Sequence, residues 1–192
     1  PRPARRPDRR QGPAGRTGVT AARVALLRGV NVGGATTLPM ADLRRIAGDL
    51  GWRDVRTYIA SGNLVFASEG SASACASALA EAIRSETGLD LLVLVETRAA
   101  KRSVIETCPF DPEVDRHVHV FFLADTPKPD QEKLKKLRAE SEAFEVKGRH
   151  AWLHAPQGVG RSKLAARIED VLGCRATARN LATVRKIAGL LA

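Results

Sequence analysis

The chain has 192 residues, 44% of them hydrophobic, and a formal net charge of +10 at pH 7. This length and apolar content suit one large or two small folded domains and exclude a disordered body. Because no stretch reaches the roughly 18 apolar residues that cross a bilayer and the N-terminus lacks the apolar segment of a secretory signal, we expect no membrane partner and a cytoplasmic location.

The positive charge is concentrated at the N-terminus. Residues 1–22 contain six arginines and one aspartate, whereas the rest of the chain has 25 basic and 20 acidic side chains. The segment is also rich in Pro and Gly and has no apolar anchor, so we predict a disordered basic tail. The body is therefore only modestly basic.

The first half of the body predicts its elements in the order β-α-β-β-α-β. Apolar runs place strands at 23–27, 55–60, 64–67 and 91–95, and apolar residues at helical spacing place helices at 39–51 and 71–87. A tight turn at 61–63 joins the second and third strands. This order is that of a ferredoxin-like sandwich.

The second half has a similar rhythm. Its predicted elements are a helix at 98–107, a strand at 118–123, a helix at 131–140, a hairpin of 144–146 and 151–154, and helices at 162–172 and 178–191. We predict an α+β protein of two packed ferredoxin-like (split β-α-β) subdomains, an N-terminal one at 23–96 and a C-terminal one at 97–192.

A glycine-rich loop after the first strand is the main candidate site. Arg28, Asn31, Gly33 and Gly34 lie between a strand and a helix, where glycine lets backbone N–H groups approach a ligand closely. In a split β-α-β unit the turn after the second strand lies at the same sheet edge, so Ser61 and Asn63 are expected to share this pocket. The alternative is a tight connection that needs glycine for geometry alone.

Two further segments are candidates for the same ligand. Ser162 is a predicted helix N-cap with Lys163 beside it, which would attract an anion. On the last predicted helix, Arg179, Thr183 and Lys186 share a polar face, and Asn180 adjoins it. A solvated surface is the alternative reading of that face.

No catalytic or cofactor motif is present. The glycines do not satisfy GxGxxG, residues 155–162 fail the P-loop pattern, and Ser61 lacks a GxSxG elbow. Three distant cysteines, without a CxxC pair, predict neither a disulfide nor a zinc site. The histidines at 117, 119, 150 and 154 could meet only if their strands are neighbours, and we predict no metal site. No cofactor and no reaction follow from the sequence.

The function that these observations favour is the binding of a small polar or anionic ligand at the glycine-loop edge. A nucleic-acid-binding module is an alternative, because the isoelectric point is near 10.3. A protein–protein adaptor is a third reading, which would require an exposed apolar patch.

Five motifs in order resemble a known bacterial family. They are ALLRGVNVGG at 25–34, LPMADLR at 38–44, VRTYIASGNLVF at 55–66, GRSKL at 160–164 and TARNLATVRKIA at 177–188. Together they are similar to the family known as domain of unknown function 1697, over roughly residues 23–190. The resemblance implies a two-part α+β fold with ferredoxin-like character, and it implies no activity.

Overall fold

The computed structural model describes residues 20–32 and 36–191. The predicted tail lies almost entirely outside these residues, as do Gly33 and Gly34. Among the helices described, none has the length and apolar character needed to cross a membrane.

The first half forms a four-stranded antiparallel sheet in the order β2-β3-β1-β4. Its elements are β1 (Ala21–Leu27), α1 (Met40–Asp49), β2 (Arg53–Tyr58), β3 (Asn63–Ser68), α2 (Ala72–Thr87) and β4 (Val93–Thr97), followed by α3 (Arg98–Glu106). The N-cap of α2 is Ser71, and Gly88 ends that helix in the left-handed conformation, as its sequence pattern predicts. The β-α-β-β-α-β prediction is confirmed.

The second half repeats this arrangement in a sheet of order β6-β7-β5-β8. Its elements are β5 (Val118–Leu123), α4 (Gln131–Leu137), β6 (Ala143–Lys147), β7 (His150–His154), α5 (Lys163–Ala166), α6 (Ile168–Leu172), β8 (Ala176–Asn180) and α7 (Leu181–Leu190). Two packed ferredoxin-like sandwiches are therefore confirmed as the fold.

The helix predicted over 178–191 is wrong in its first turn. Residues Ala176–Asn180 form β8, which pairs antiparallel with β5. Asn180 then caps α7, because its side-chain oxygen accepts a hydrogen bond from the backbone N–H of Thr183 at 2.8 Å. A residue in that role has extended backbone, so the helix cannot include the residues before it.

The two sheets face each other across a shared core. Alternate residues of β1 point to opposite sides: Ala25 and Leu27 pack against α1 and α2, while Val24 and Leu26 pack toward the second half. The shared core also contains residues of β5, α3 and α7. A third core lies between the second sheet and helices α4–α6. Both faces of the central strands are thus buried.

A substitution at Gly62 tests whether the close approach of the β2–β3 turn to β1 requires a glycine. Gly62 has φ +73°, and a Cβ there would lie 2.8 Å from the Cβ of Leu27. Gly62→Ala is therefore expected to lower the free energy of unfolding by about 2–4 kcal/mol, from backbone strain and overpacking together. Gly148→Ala is the matched control, because that glycine also has positive φ but has open space around it. Urea denaturation measures both, and equal losses would contradict the close-approach argument.

Candidate functional site

The described part of the glycine-rich loop and the β2–β3 turn meet at one edge of the first sheet. The backbone N–H of Leu27 donates to the carbonyl oxygen of Gly62 at 2.9 Å. The Asn31 side chain reaches across to the carbonyl oxygen of Ala60 at 2.8 Å. The structure therefore brings together the two segments that the split β-α-β order places side by side.

The side-chain amide of Asn31 already has hydrogen-bond partners within the protein. Its φ is +56°, a conformation that asparagine tolerates better than most residues. Its amide nitrogen donates to the carbonyl oxygens of Leu38 and Ala60, and its amide oxygen accepts from the N–H of Leu38 at 3.0 Å. The side chain thus links the segment after β1 to Leu38 and to the β2–β3 turn, and this role uses its main hydrogen-bonding groups.

Arg179 joins the two halves of the molecule. It lies on β8, not on a helix, and only 8% of its surface is exposed. Its guanidinium donates to the Asn63 side-chain oxygen at 2.6 Å and to the carbonyl oxygens of Leu27 and Ser61 at 2.9 and 2.8 Å. It also donates to the hydroxyl of Thr177 at 2.9 Å. Ser61, Asn63 and Arg179 are therefore brought together, but as a buried network.

No carboxylate pairs with Arg179 among the residues described. Burial lowers its pKa to about 10, which leaves the guanidinium charged at neutral pH. Neutral oxygen atoms from both halves surround this charge, and their dipoles compensate for the lost hydration. Asn63 is fully buried as well, and its amide nitrogen donates to the Tyr58 carbonyl and the Ser61 hydroxyl. This geometry indicates a structural junction.

The predicted polar face over 179–186 does not exist as one surface. Arg179 and Thr183 are both buried, with Thr183 9% exposed, and Asn180 caps α7. Lys186 alone of the four is exposed. The prediction of a single helical face is wrong, because helical spacing does not continue across the boundary between β8 and α7.

Ser162 is the N-cap of α5, and its hydroxyl accepts from the N–H of Ala165 at 3.0 Å. That part of the prediction is confirmed. The helix is only four residues long, however, and Lys163 lies exposed on it. Such a short helix has little dipole with which to hold an anion.

Arg28 lines a cleft between the two halves. The cleft has a volume of about 290 Å³. Its apolar floor includes Phe121, Ala176 and Ala178, and α6 supplies its polar rim. The Arg28 guanidinium donates to the carboxylate of Glu169 at 2.7 Å, and its side chain is 46% exposed. The volume is near the lower limit for small-molecule sites.

The rim of this cleft carries two cations, Arg28 and Arg167, and two carboxylates, Glu169 and Asp170. Glu169 binds Arg28 through one oxygen and accepts from the N–H of Ala176 through the other. Asp170 accepts from Lys133 at 2.8 Å and from Arg167. The hydrogen bonds from Lys133 and Arg167 lower the pKa of Asp170. Lys133 is not among the lining residues, and it also contacts Asp130 at 3.6 Å, so cations and carboxylates balance at this rim.

Sequence reasoning missed Arg167, Glu169 and Asp170 at this cleft. Arg28 and Glu169 are 141 residues apart, so no local pattern links them. Lys101, a buried lysine on α3, was missed too, although a signal was present. Lys101, Val104, Ile105 and Cys108 lie at spacings of three, four and seven, which place the lysine on the apolar face of its helix.

The histidines do not form a metal site. Strands β5 and β7 are neighbours, but His119 and His150 pair with Leu153 and Phe122 and lie on opposite faces of the sheet. Across the described part of the chain, no group of three or more His, Cys, Asp or Glu side chains could hold a metal ion.

A solved structure of another protein has a similar fold. The chain is similar to a conserved bacterial protein from Streptococcus pneumoniae, with a TM-score of 0.71 and 22% sequence identity over 90% of this chain and 99% of that one. A comparison with curated proteins finds no match. The model of the family described as protein of unknown function (DUF1697) matches residues 21–152. That match covers more than half of the chain, which confirms the resemblance of the motifs, and the protein therefore belongs to the DUF1697 family.

Proposed function

We propose that the protein binds a small polar ligand with an anionic group in the cleft beside Arg28. The observation that carries the proposal is Arg28 itself, whose guanidinium lines the cleft and whose side chain stays 46% exposed although it pairs with Glu169. An arginine fork has five donors, and Arg28 uses one nitrogen for Glu169 among the residues described. A carboxylate or phosphate would take the remaining donors.

The position of Arg28 in the fold supports this proposal. Arg28 follows directly after the buried β1, and its backbone N–H donates to the carbonyl oxygen of Leu92 at 3.0 Å. Glu169 fixes the side chain from the other half of the molecule. The cleft therefore combines an anchored cation with an apolar floor formed by Phe121 and small alanines, which suits a ligand with a compact apolar body.

The alternatives find less support in the same residues. An RNA site on the sheet surface would need exposed aromatic side chains on central strands. Here the central strands are buried on both faces, with Phe66 and Phe122 inside the cores. The exposed large apolar residues described are Val32, Ile59 and Val114, which offer little area for an adaptor surface.

Arg28→Ala is expected to weaken ligand affinity at least tenfold, since a charge-assisted hydrogen bond contributes about 1.5–3 kcal/mol. Screening a panel of small phosphates and carboxylates by thermal shift identifies a ligand, and titration calorimetry then gives the affinities. Arg84→Ala is the matched control, because Arg84 forms a similar exposed pair with Glu81 on α2. Equal affinity of both variants, or unfolding of Arg28→Ala, would refute the proposal.

A further inference from the structure

Lys101 is a lysine inside the core between the two halves. It lies on the inner face of α3 beside Val104, and its side chain is fully buried. Its Nζ atom has no hydrogen-bond partner among the described residues. The nearest support comes from the second half, because Nζ lies 3.8 Å from the centroid of the Phe122 ring.

The charged groups around Lys101 come from two strands. Glu96 on β4 attracts a proton to the amine, and Arg179 on β8 repels it. The elements packed on either side contribute apolar residues, Val24 from β1 and Val184 from α7. Glu96 is also shared with His150 on β7, whose Nε2 lies 3.5 Å from its carboxylate. Lys101 therefore has no carboxylate that pairs with it alone among the described residues.

We propose that Lys101 makes the docking of α3 against the second half responsive to pH, with the neutral amine in the docked helix and the ammonium in the released one. The reason is solvation. A docked ammonium has the Phe122 ring as its main contact, whereas a released one is hydrated. The docked state thus favours the form that carries no charge.

The direction of the pH effect follows from the two protonation equilibria. Burial lowers the pKa of docked Lys101 from 10.5 to about 7, and the released helix regains the ordinary value. Between these two values the released state binds one proton more than the docked state. The population of released α3 therefore rises tenfold for each unit of pH decrease in this window, and it stops rising below pH 7.

Hydrogen exchange of the α3 amides tests the proposal in the full chain. The protection factor of the α3 amides in the wild type is divided by the protection factor in Lys101→Met at the same pH. This ratio removes the intrinsic pH dependence of exchange, which is the same in both proteins. We expect this ratio to fall about tenfold per unit between pH 9 and 7.5 and to be constant below 7. The amides of α2 are the internal reference and should give a constant ratio.

Glu96→Gln provides a second readout. Removal of this carboxylate lowers the pKa of docked Lys101 further, so the plateau should begin at a lower pH than in the wild type. A ratio independent of pH would overturn the proposal. So would parallel changes in α2 and α3, because they would indicate global unfolding instead of release of one helix. An unshifted plateau in Glu96→Gln would assign the titration to another group.

Discussion

Replacing Arg179 with methionine is expected to lower the free energy of unfolding by about 3–5 kcal/mol, because three oxygen atoms at this buried junction lose a donor at once. Methionine fills much of the same space but donates no hydrogen bonds. The Asn63 side-chain oxygen and the carbonyl oxygen of Ser61 would then lose this donor, and the carbonyl oxygen of Leu27 would keep the weaker bond from the Thr177 hydroxyl at 3.3 Å. Each unsatisfied group costs about 1–3 kcal/mol.

Arg179→Lys separates the charge from the geometry. A lysine keeps the cation but has a single nitrogen, which cannot reach Asn63, Thr177 and the β1 carbonyl together. We expect lysine to recover less than half of the loss. Urea denaturation with a fitted m-value measures both variants. A loss below about 1 kcal/mol for Arg179→Met, or full recovery by lysine, would show that the network contributes little.

A double-mutant cycle with Asn63→Ala strengthens this test. The two side chains meet at 2.6 Å in a buried site, so their effects should couple by about 1 kcal/mol or more. Additive losses would place the contribution of Arg179 in its contacts with backbone carbonyls instead.

The sequence was sufficient for most of the fold because its local signals agree with one another. Ser71 and Gly88 mark both ends of α2, and the apolar spacing between them matches the buried face with Cys75, Leu79 and Ile83. The β8 strand was missed because its five residues form only a short and weakly apolar run. Asn180 was the signal that separates it from the following helix.

The candidate site was less predictable because it depends on contacts between distant segments. The chain order correctly placed the glycine loop beside the β2–β3 turn. It could not show that Arg179 of the second half would donate hydrogen bonds to the Ser61 carbonyl and the Asn63 side chain, or that Arg28 would pair with Glu169. The residue types indicated polar chemistry at this edge. Which polar groups are buried in the structure and which are accessible to a ligand depends on how one half packs on the other.

The packing of the two halves leads to the second large effect. Fragments 20–111 and 112–192 are expected to lack a cooperative unfolding transition when each is alone. Separation exposes Val24, Leu26 and Val65, which are buried toward the second half. Each such residue contributes about 1.5–3 kcal/mol when buried, so the loss approaches the whole stability of a typical domain. The halves would then be topological repeats that fold only together.

Circular dichroism during urea titration tests the fragments singly and mixed, and an equimolar mixture should regain a sigmoidal transition. The matched control is the full chain with a protease site in the loop at 107–114, cleaved after folding, which should keep the native spectrum because the shared core is intact. A cooperative transition for either fragment alone would show that its own outer core is sufficient. In that case the division at residues 111–112 would separate independent domains, and the contacts of Arg179 with β1 and of Lys101 with Phe122 would join units that fold by themselves.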